Sequence, residues 1–323
     1  MPVPARSARL YFPRWLRRSR GTGLGPRRAP RGARAGSGGH DGRVSVHVAE
    51  SLEEVCALLA DDPSASLLAG GTDFMVEVNY SHRRPRSVIA IDRVPELTGW
   101  RQSNGHIELG AAMTYAEMEH PLFAAYVPAL AQAARTVGSP QIRNAGTLGG
   151  NLATASPAGD TLPPLAALGA RVRICSRRGS REASIDELIV GPKKTTLAPD
   201  EVIVSVRVPA LDGPQEFLKV GTRNAMVISV ATVALILDRT QRSVRVALGS
   251  VAPVPVRAAE AERWIAEVVD WDAPAVPADD ILVRFGELVA AASSPIDDHR
   301  STADYRRHAV AVMASRALAR VLS

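Results

Sequence analysis

Between Gln141 and Asp160 the chain reads Gln-Ile-Arg-Asn-Ala-Gly-Thr-Leu-Gly-Gly-Asn-Leu-Ala-Thr-Ala-Ser-Pro-Ala-Gly-Asp, and this run constrains the fold more than any other. Gly146, Gly149 and Gly150 are interleaved with Thr147, Asn151, Thr154 and Ser156. The pattern predicts a long polar loop between two helices, the second opening with Ser156 as N-cap and Pro157 at its first position. So many small hydrogen-bonding groups exceed what a plain connector needs. They suit a ligand with a diphosphate and several hydroxyls, which requires many donors and close backbone approach. Asp160 is placed either to accept from such hydroxyls or to sit in the first turn as a helix-dipole partner.

A second glycine segment, Leu67-Leu-Ala-Gly-Gly-Thr-Asp-Phe74, reads as a strand entering a tight turn and then a helix from about Asp73. Lacking Cβ atoms, Gly70 and Gly71 let an anion approach the main chain, and Thr72 adds a hydroxyl. The spacing is not G-x-G-x-x-G, so a Rossmann fingerprint is absent. A simple strand–helix turn is the alternative reading.

Around these segments, strands are predicted at Val44–Val48, Ser66–Ala69, Ser87–Ile91, His106–Gly110, Arg171–Cys175 and Val202–Val208, with a meander over 216–251. Ser51–Glu54 and Thr114–Glu117 are capping boxes, the second opening a short helix that Pro121 should stop. Pro128–Val137 reads as a helix, and Ala309, Val312, Ala317 and Val321 mark a helical end. Cys56 falls on the apolar face of the first helix and reads as packed. Strands and helices mix without regular βαβ spacing, which predicts α+β with a boundary near 211–214.

Composition narrows the function. The 323 residues carry a formal charge of +6, but residues 1–43 hold eleven arginines against one acid, Asp41, for +10. That leaves −4 on the other 280 residues, so a basic nucleic-acid-binding surface on the body is not expected. The tail also holds eight glycines and five prolines and reads as disordered or as an upstream mis-assigned start. A tether to nucleic acid or an anionic membrane is the alternative; Arg17-Arg18 lacks the apolar stretch an export signal needs. No run approaches the ~18 apolar residues that span a bilayer. Two cysteines, Cys56 and Cys175, cannot supply the roughly four ligands of an iron–sulfur cluster or structural zinc site, and a reducing cytoplasm is the expected location.

Taken together, Ala69-Gly-Gly-Thr-Asp73 and Thr147-Leu-Gly-Gly-Asn151, with Thr154 and Asp160 beyond, resemble the FAD-binding medium subunit of the molybdenum hydroxylases, the carbon monoxide dehydrogenase and xanthine dehydrogenase type. The likeness continues through Gly191–Glu201, Lys219–Ser229 and Asp297–Arg307, covering about 44–320 in the family's order. It implies a two-subdomain FAD-binding domain over 44–211, then a smaller α+β C-terminal domain over 214–323. Carried over by position, Leu67, Leu68, Ala69, Gly70, Gly71, Thr72 and Asp73, with Thr147, Leu148, Gly149, Gly150 and Asn151, clasp the diphosphate. Thr154 and Asp160 hold hydroxyls of the ribityl–ribose region, Ile203 abuts the isoalloxazine, and Lys219 lies close to the flavin.

Two positions depart from the pattern. An aromatic contact of some members falls at Val137, and aromatic residues after the Gly-Pro are replaced by Lys193 and Lys194. No His or Cys lies in either flavin segment, so covalent attachment is not expected. The family context implies no acid–base catalyst and no metal ligand in this chain. It implies a molybdopterin-binding large subunit, an iron–sulfur small subunit, a dimer of heterotrimers, and NAD or another acceptor. The rival readings are a self-contained FAD-dependent oxidoreductase, and a flavin-free assembly or nucleic-acid-binding subunit. His299, in the approach to the last helix, reads as a surface residue.

Overall fold

The computed structural model describes residues 44–323 other than Ser81, so the expectations for residues 1–43 lie outside the described residues. The first unit is built from β1 (Ser45–Val48), α1 (Leu52–Asp61), β2 (Ser66–Leu68), α2 (Phe74–Asn79) and β3 (Ser87–Ala90). Its three strands are parallel, in the order β1-β3-β2. Ser51 Oγ accepts the Glu54 amide at 3.1 Å, as the capping box predicts, but the Glu54 carboxylate takes the amide of Glu50, one residue further back. Cys56 is buried on the packed face of α1.

A single 3₁₀ turn at Pro95–Leu97 leads to the second unit, which starts with β4 (Trp100–Ser103) and β5 (His106–Gly110). Five short helices follow: α3 (Tyr115–Met118), α4 (Pro121–Ala124), α5 (Pro128–Thr136), α6 (Pro140–Ala145) and α7 (Leu148–Thr154). After α8 (Leu162–Leu168) come β6 (Arg171–Ser176), β7 (Gly179–Ser184), α9 (Ile185–Leu188), the hairpin β8 (Ile189–Gly191) and β9 (Lys194–Thr195), and β10 (Val202–Pro209). Five of these strands form an antiparallel sheet in the order β4-β5-β10-β6-β7.

The helix α3 ends short of Pro121, as expected, and Pro121 then opens α4, because its missing amide is harmless at the first position. Two expectations change here. The predicted loop over 141–160 is largely helical: Thr147 caps α7 by accepting the Gly150 amide at 3.1 Å, and Gly149 fits closely against Ala111. No helix starts at Ser156. Ala155 adopts a left-handed conformation (φ 46°) and ends α7, and Ser156 Oγ only braces a turn through the Ala158 amide. The next helix waits for Leu162, where Pro163 and Pro164 sit in a first turn that tolerates them.

The meander is present as β11 (Gln215–Gly221), β12 (Ser229–Asp238), β13 (Ser243–Gly249) and the short β14 (Val256–Arg257), antiparallel in chain order. Helices α10 (Ala259–Val268), α11 (Asp279–Ala291) and α12 (Ala303–Val321) cover one face; the first two carried no clear sequence signal. Every residue of β12 is buried. Ala231, Val233, Leu235 and Leu237 face these helices, while Ala234 and Ile236 join the core of the second unit. A strand buried on both faces reads as one continuous apolar run, which is what the sequence shows.

Arg306 of α12 is the largest fully buried side chain among the described residues. It donates to the carbonyls of Val230 (2.6 Å) and Ser250 (2.8 Å) and pairs with Asp298 at 2.7 Å, tying the helix to two strand ends. Desolvation pushes the Asp298 carboxyl up, but hydrogen bonds from Arg300 and Arg306 outweigh it and hold the group well below the usual carboxylate range. A lowered folded-state pKa contributes stability above the unfolded value of about 3.9 and loses it as pH falls further. Arg306→Met should therefore cost about 3 kcal/mol in urea denaturation at pH 7, and the gap to the parent protein should narrow below about pH 4.

Candidate functional site

After β2 the chain turns through Gly70 and Gly71 toward α2. Gly71 takes a left-handed φ of +73°. Gly70 is demanded by contact: a Cβ there would lie 1.6 Å from the carbonyl oxygen of Ala145. The turn of the first unit thus touches the α6–α7 turn of the second, backbone to backbone. The amides of Gly70, Gly71, Thr72, Asp73 and Phe74 donate to no partner among the described residues.

Beside this turn lies a cavity of about 410 Å³ between the two units. Leu67, Ala69, Gly70, Gly71, Thr72 and Asp73 form one wall, and Thr147, Gly149, Gly150, Asn151 and Thr154 a second. The third is the stretch from Leu197 to Ile203, with Lys193 from the β8–β9 turn. Ile203 enters where the register of β10 against β6 slips between Ile203 and Ser205, so a bulge breaks the alternation. Glu201 braces this wall through a bidentate pair with Arg181 (2.8 and 2.7 Å) and by accepting the Ala198 amide; the Arg181 bonds hold its carboxyl below the usual range.

The two glycine segments do different work. In α7 the leading amides are already used: Leu148 donates to Met113, Gly149 to Ala111 and Gly150 to Thr147. What this wall offers is the hydroxyls of Thr147 and Thr154 and the side-chain amide of Asn151, whose oxygen accepts from Thr161 at 2.6 Å. Along the cavity, the longest run of main-chain donors without a partner among the described residues is 70–74, on the opposite wall.

The remaining predicted residues stand behind the walls. Leu68 and Leu148 do not line the cavity, and Leu148 is fully buried in the core. Asp160 and Lys219 are paired at 2.5 Å in a buried cluster that ties the α7–α8 connection to β11. Lys219 also donates to the Thr136 carbonyl at 3.1 Å, while Asp160 accepts from the Thr136 hydroxyl and from Ser229. Burial pushes the Asp160 carboxyl up, and Lys219, Ser229 and Thr136 pull against it. Val137 packs on the core, and Arg143 donates to its carbonyl.

Some cavity residues escaped the sequence. Tyr115 reads there only as the first residue after a capping Thr, although an aromatic side chain just past a strand ending in Gly110-Ala-Ala was an available signal. Arg83, which pairs with Glu77 at 3.4 Å and lies 5.2 Å above the Phe74 ring, carried no signal. For Asp73, burial pushes the carboxyl up, Lys193 opposes and Glu77 adds.

A cavity between two α/β units, walled by unpaired amides and small hydroxyl residues, is suited to a phosphorylated ligand. Comparison with known proteins specifies it. Residues 42–211 match the model of the FAD binding domain in molybdopterin dehydrogenase, and residues 216–321 that of the CO dehydrogenase flavoprotein C-terminal domain. The xanthine dehydrogenase FAD-binding subunit of Escherichia coli O157:H7 is 31% identical over 291 residues, covering 87% of this chain and 96% of that one. The glyceraldehyde dehydrogenase medium chain of Sulfolobus acidocaldarius is 30% identical, over 84% and 96%. Among solved structures, quinoline 2-oxidoreductase from Pseudomonas putida 86 superposes with a TM-score of 0.79 at 27% identity, over 87% of this chain and 97% of that chain. Carbon monoxide dehydrogenase from Hydrogenophaga pseudoflava gives 0.76 at 28%, with the same coverage. The chain belongs to the FAD-binding medium subunits of the molybdenum hydroxylases, and it is an oxidoreductase subunit whose cofactor is FAD.

Two substitutions test this geometry. Gly70→Ala must push the two turns apart, so it should lower stability by ~1–3 kcal/mol and reduce the flavin-to-protein absorbance ratio. Lys219→Met leaves Asp160 buried without its cation and should cost about 3–5 kcal/mol in denaturant unfolding, much of it recovered in the Asp160→Asn, Lys219→Met double variant.

Proposed function

We propose that this subunit receives electrons from iron–sulfur clusters on a partner chain and passes them through FAD to NAD or another acceptor. The partners in this reading are a molybdopterin-binding large subunit and an iron–sulfur small subunit, assembled as a cytoplasmic dimer of heterotrimers. The observation that carries it is the pairing of a flavin-subunit cavity with a chain holding only two cysteines, Cys56 and Cys175. Such a chain cannot build its own cluster, so in this reading the iron–sulfur clusters belong to a partner chain. No helix of the described residues is long and apolar enough to cross a membrane.

The residues fit the cofactor. Five unpaired amides over 70–74 can take phosphate oxygens, and Gly70 and Gly71 leave no side chain in the way. Thr72, Thr147, Asn151 and Thr154 add donors for the diphosphate and the adjoining hydroxyls. Ile203 presents an apolar side chain from the opposite wall, suited to a flat ring system. When bound, FAD supplies a two-electron redox couple, and the protein's part is to position it and set its electrostatics. Lys219, paired with Asp160, does not line the cavity and supports its walls from behind.

Affinity purification of the tagged chain from its native cell tests the assembly. The expected result is co-elution of a cysteine-rich small subunit and a molybdopterin-containing large one, with donor-to-acceptor activity only in the complex. Turnover of a small organic donor by the isolated flavin-loaded chain would overturn the reading in favour of a self-contained oxidoreductase.

A further inference from the structure

Tyr115 sits at the first position of α3 and is 5% exposed, yet it borders the cavity. Its backbone amide donates to the Gly146 carbonyl at 3.1 Å, and its ring lies flush on that glycine: a Cβ at Gly146 would come within 2.6 Å of Cε2. Gly146 in turn adjoins Gly70, whose missing Cβ would be 3.1 Å from the Gly146 nitrogen. The ring is therefore wedged where the turn carrying the free amides meets the α6–α7 turn.

Its hydroxyl has no hydrogen-bond partner among the described residues. The unpartnered buried polar atoms that are sealed from solvent are Thr232 Oγ1, Ser243 Oγ, Ser250 Oγ and Arg306 Nε. The Tyr115 hydroxyl is not one of them, so it opens on accessible space, and the space Tyr115 borders is the cavity. A nearly buried tyrosine normally finds a partner for its O–H. We infer that the Tyr115 hydroxyl donates a hydrogen bond to a phosphate oxygen of the FAD diphosphate, completing from the second unit the cradle that residues 70–74 open from the first.

Two further observations agree. Burial drives the Tyr115 hydroxyl well above its ordinary pKa, with the charges of Asp73 and Asp160 adding to the effect, so it stays a donor at any working pH. Gly146 is explained as well, since any side chain there would displace the ring.

The inference rests on the proposed diphosphate clasp, and one titration series separates the two. The full chain, freed of flavin, is titrated calorimetrically with FAD, ADP and riboflavin in parent and Tyr115→Phe forms. The variant should bind FAD and ADP about tenfold more weakly, as expected for a lost bond to a charged acceptor, with riboflavin unchanged. The flavin-free melting temperature should not move, because the hydroxyl bonds nothing within the chain. Unchanged FAD and ADP affinities overturn the inference while leaving the clasp standing. So does a loss shared equally by riboflavin, or a fall in the flavin-free melting temperature that accompanies the weaker binding. If the parent chain binds FAD no more tightly than riboflavin, the clasp itself fails.

Discussion

Gly70 meets the Ala145 carbonyl with no room for one extra methyl group, and this contact sets the distance between two units that share no sheet. The first unit is too small to own a core. Its buried residues, among them Val55, Leu59, Ile89 and Leu97, close only with Val202 and Val204 of β10. Ile203, Val206 and Val208 of the same strand belong to the larger core of the second unit. The bulge between Ile203 and Ser205 lets one strand serve both cores and still turn Ile203 to the cavity. The cavity is what remains between a backbone contact at one end and a shared strand at the other.

The C-terminal sheet is fixed to this arrangement by polar groups as well as apolar ones. Gln132 of α5 accepts the Phe217 amide at 2.6 Å, and the Gln215 side chain accepts the Ala129 amide at 3.4 Å. Asp160 and Lys219 add a buried ion pair across the same boundary. A buried pair is weak evidence for stability, since its desolvation cost is comparable with its Coulombic gain, but it tolerates only one relative placement. Apolar faces of Phe217, Ala234 and Ile236 could slide against α5 and α8; the hydrogen-bonded register cannot. The ion pair is best understood as holding the cavity's back wall in place.

Much of the fold was legible because it is written in local rules. Capping boxes marked α1 and α3, alternation marked β1, and strands were read at β5, β10 and across the meander. The Gln141–Asp160 segment misled because glycine and small polar residues score as loop, whereas α7 exists through tertiary contact: Ala111 and Met113 accept its first amides and leave no space for larger residues. Ser156-Pro157 carried a correct helix-start signal that the left-handed Ala155 and the inward turn of Asp160 override. At the site, the glycine segments were legible as close-approach positions. Which of them keeps its amides free was not, because that depends on acceptors far away in sequence.

The charges around the cavity explain why glycines were the legible part. Glu201 is paired with Arg181, and Glu77 with Arg83, while Asp73 faces Lys193. The lining therefore has little net positive charge to offer a diphosphate. In the proposed reading, attraction falls to oriented dipoles, namely five amides, a few hydroxyls and the Tyr115 O–H. Fixed dipoles need no ammonium group stripped of its hydration, and they select shape as well as charge. A body that is mildly acidic overall can hold an anionic cofactor on these terms, provided the main chain is bare where the phosphates lie. That requirement falls on Gly70 and Gly71, and no basic motif was needed to announce it.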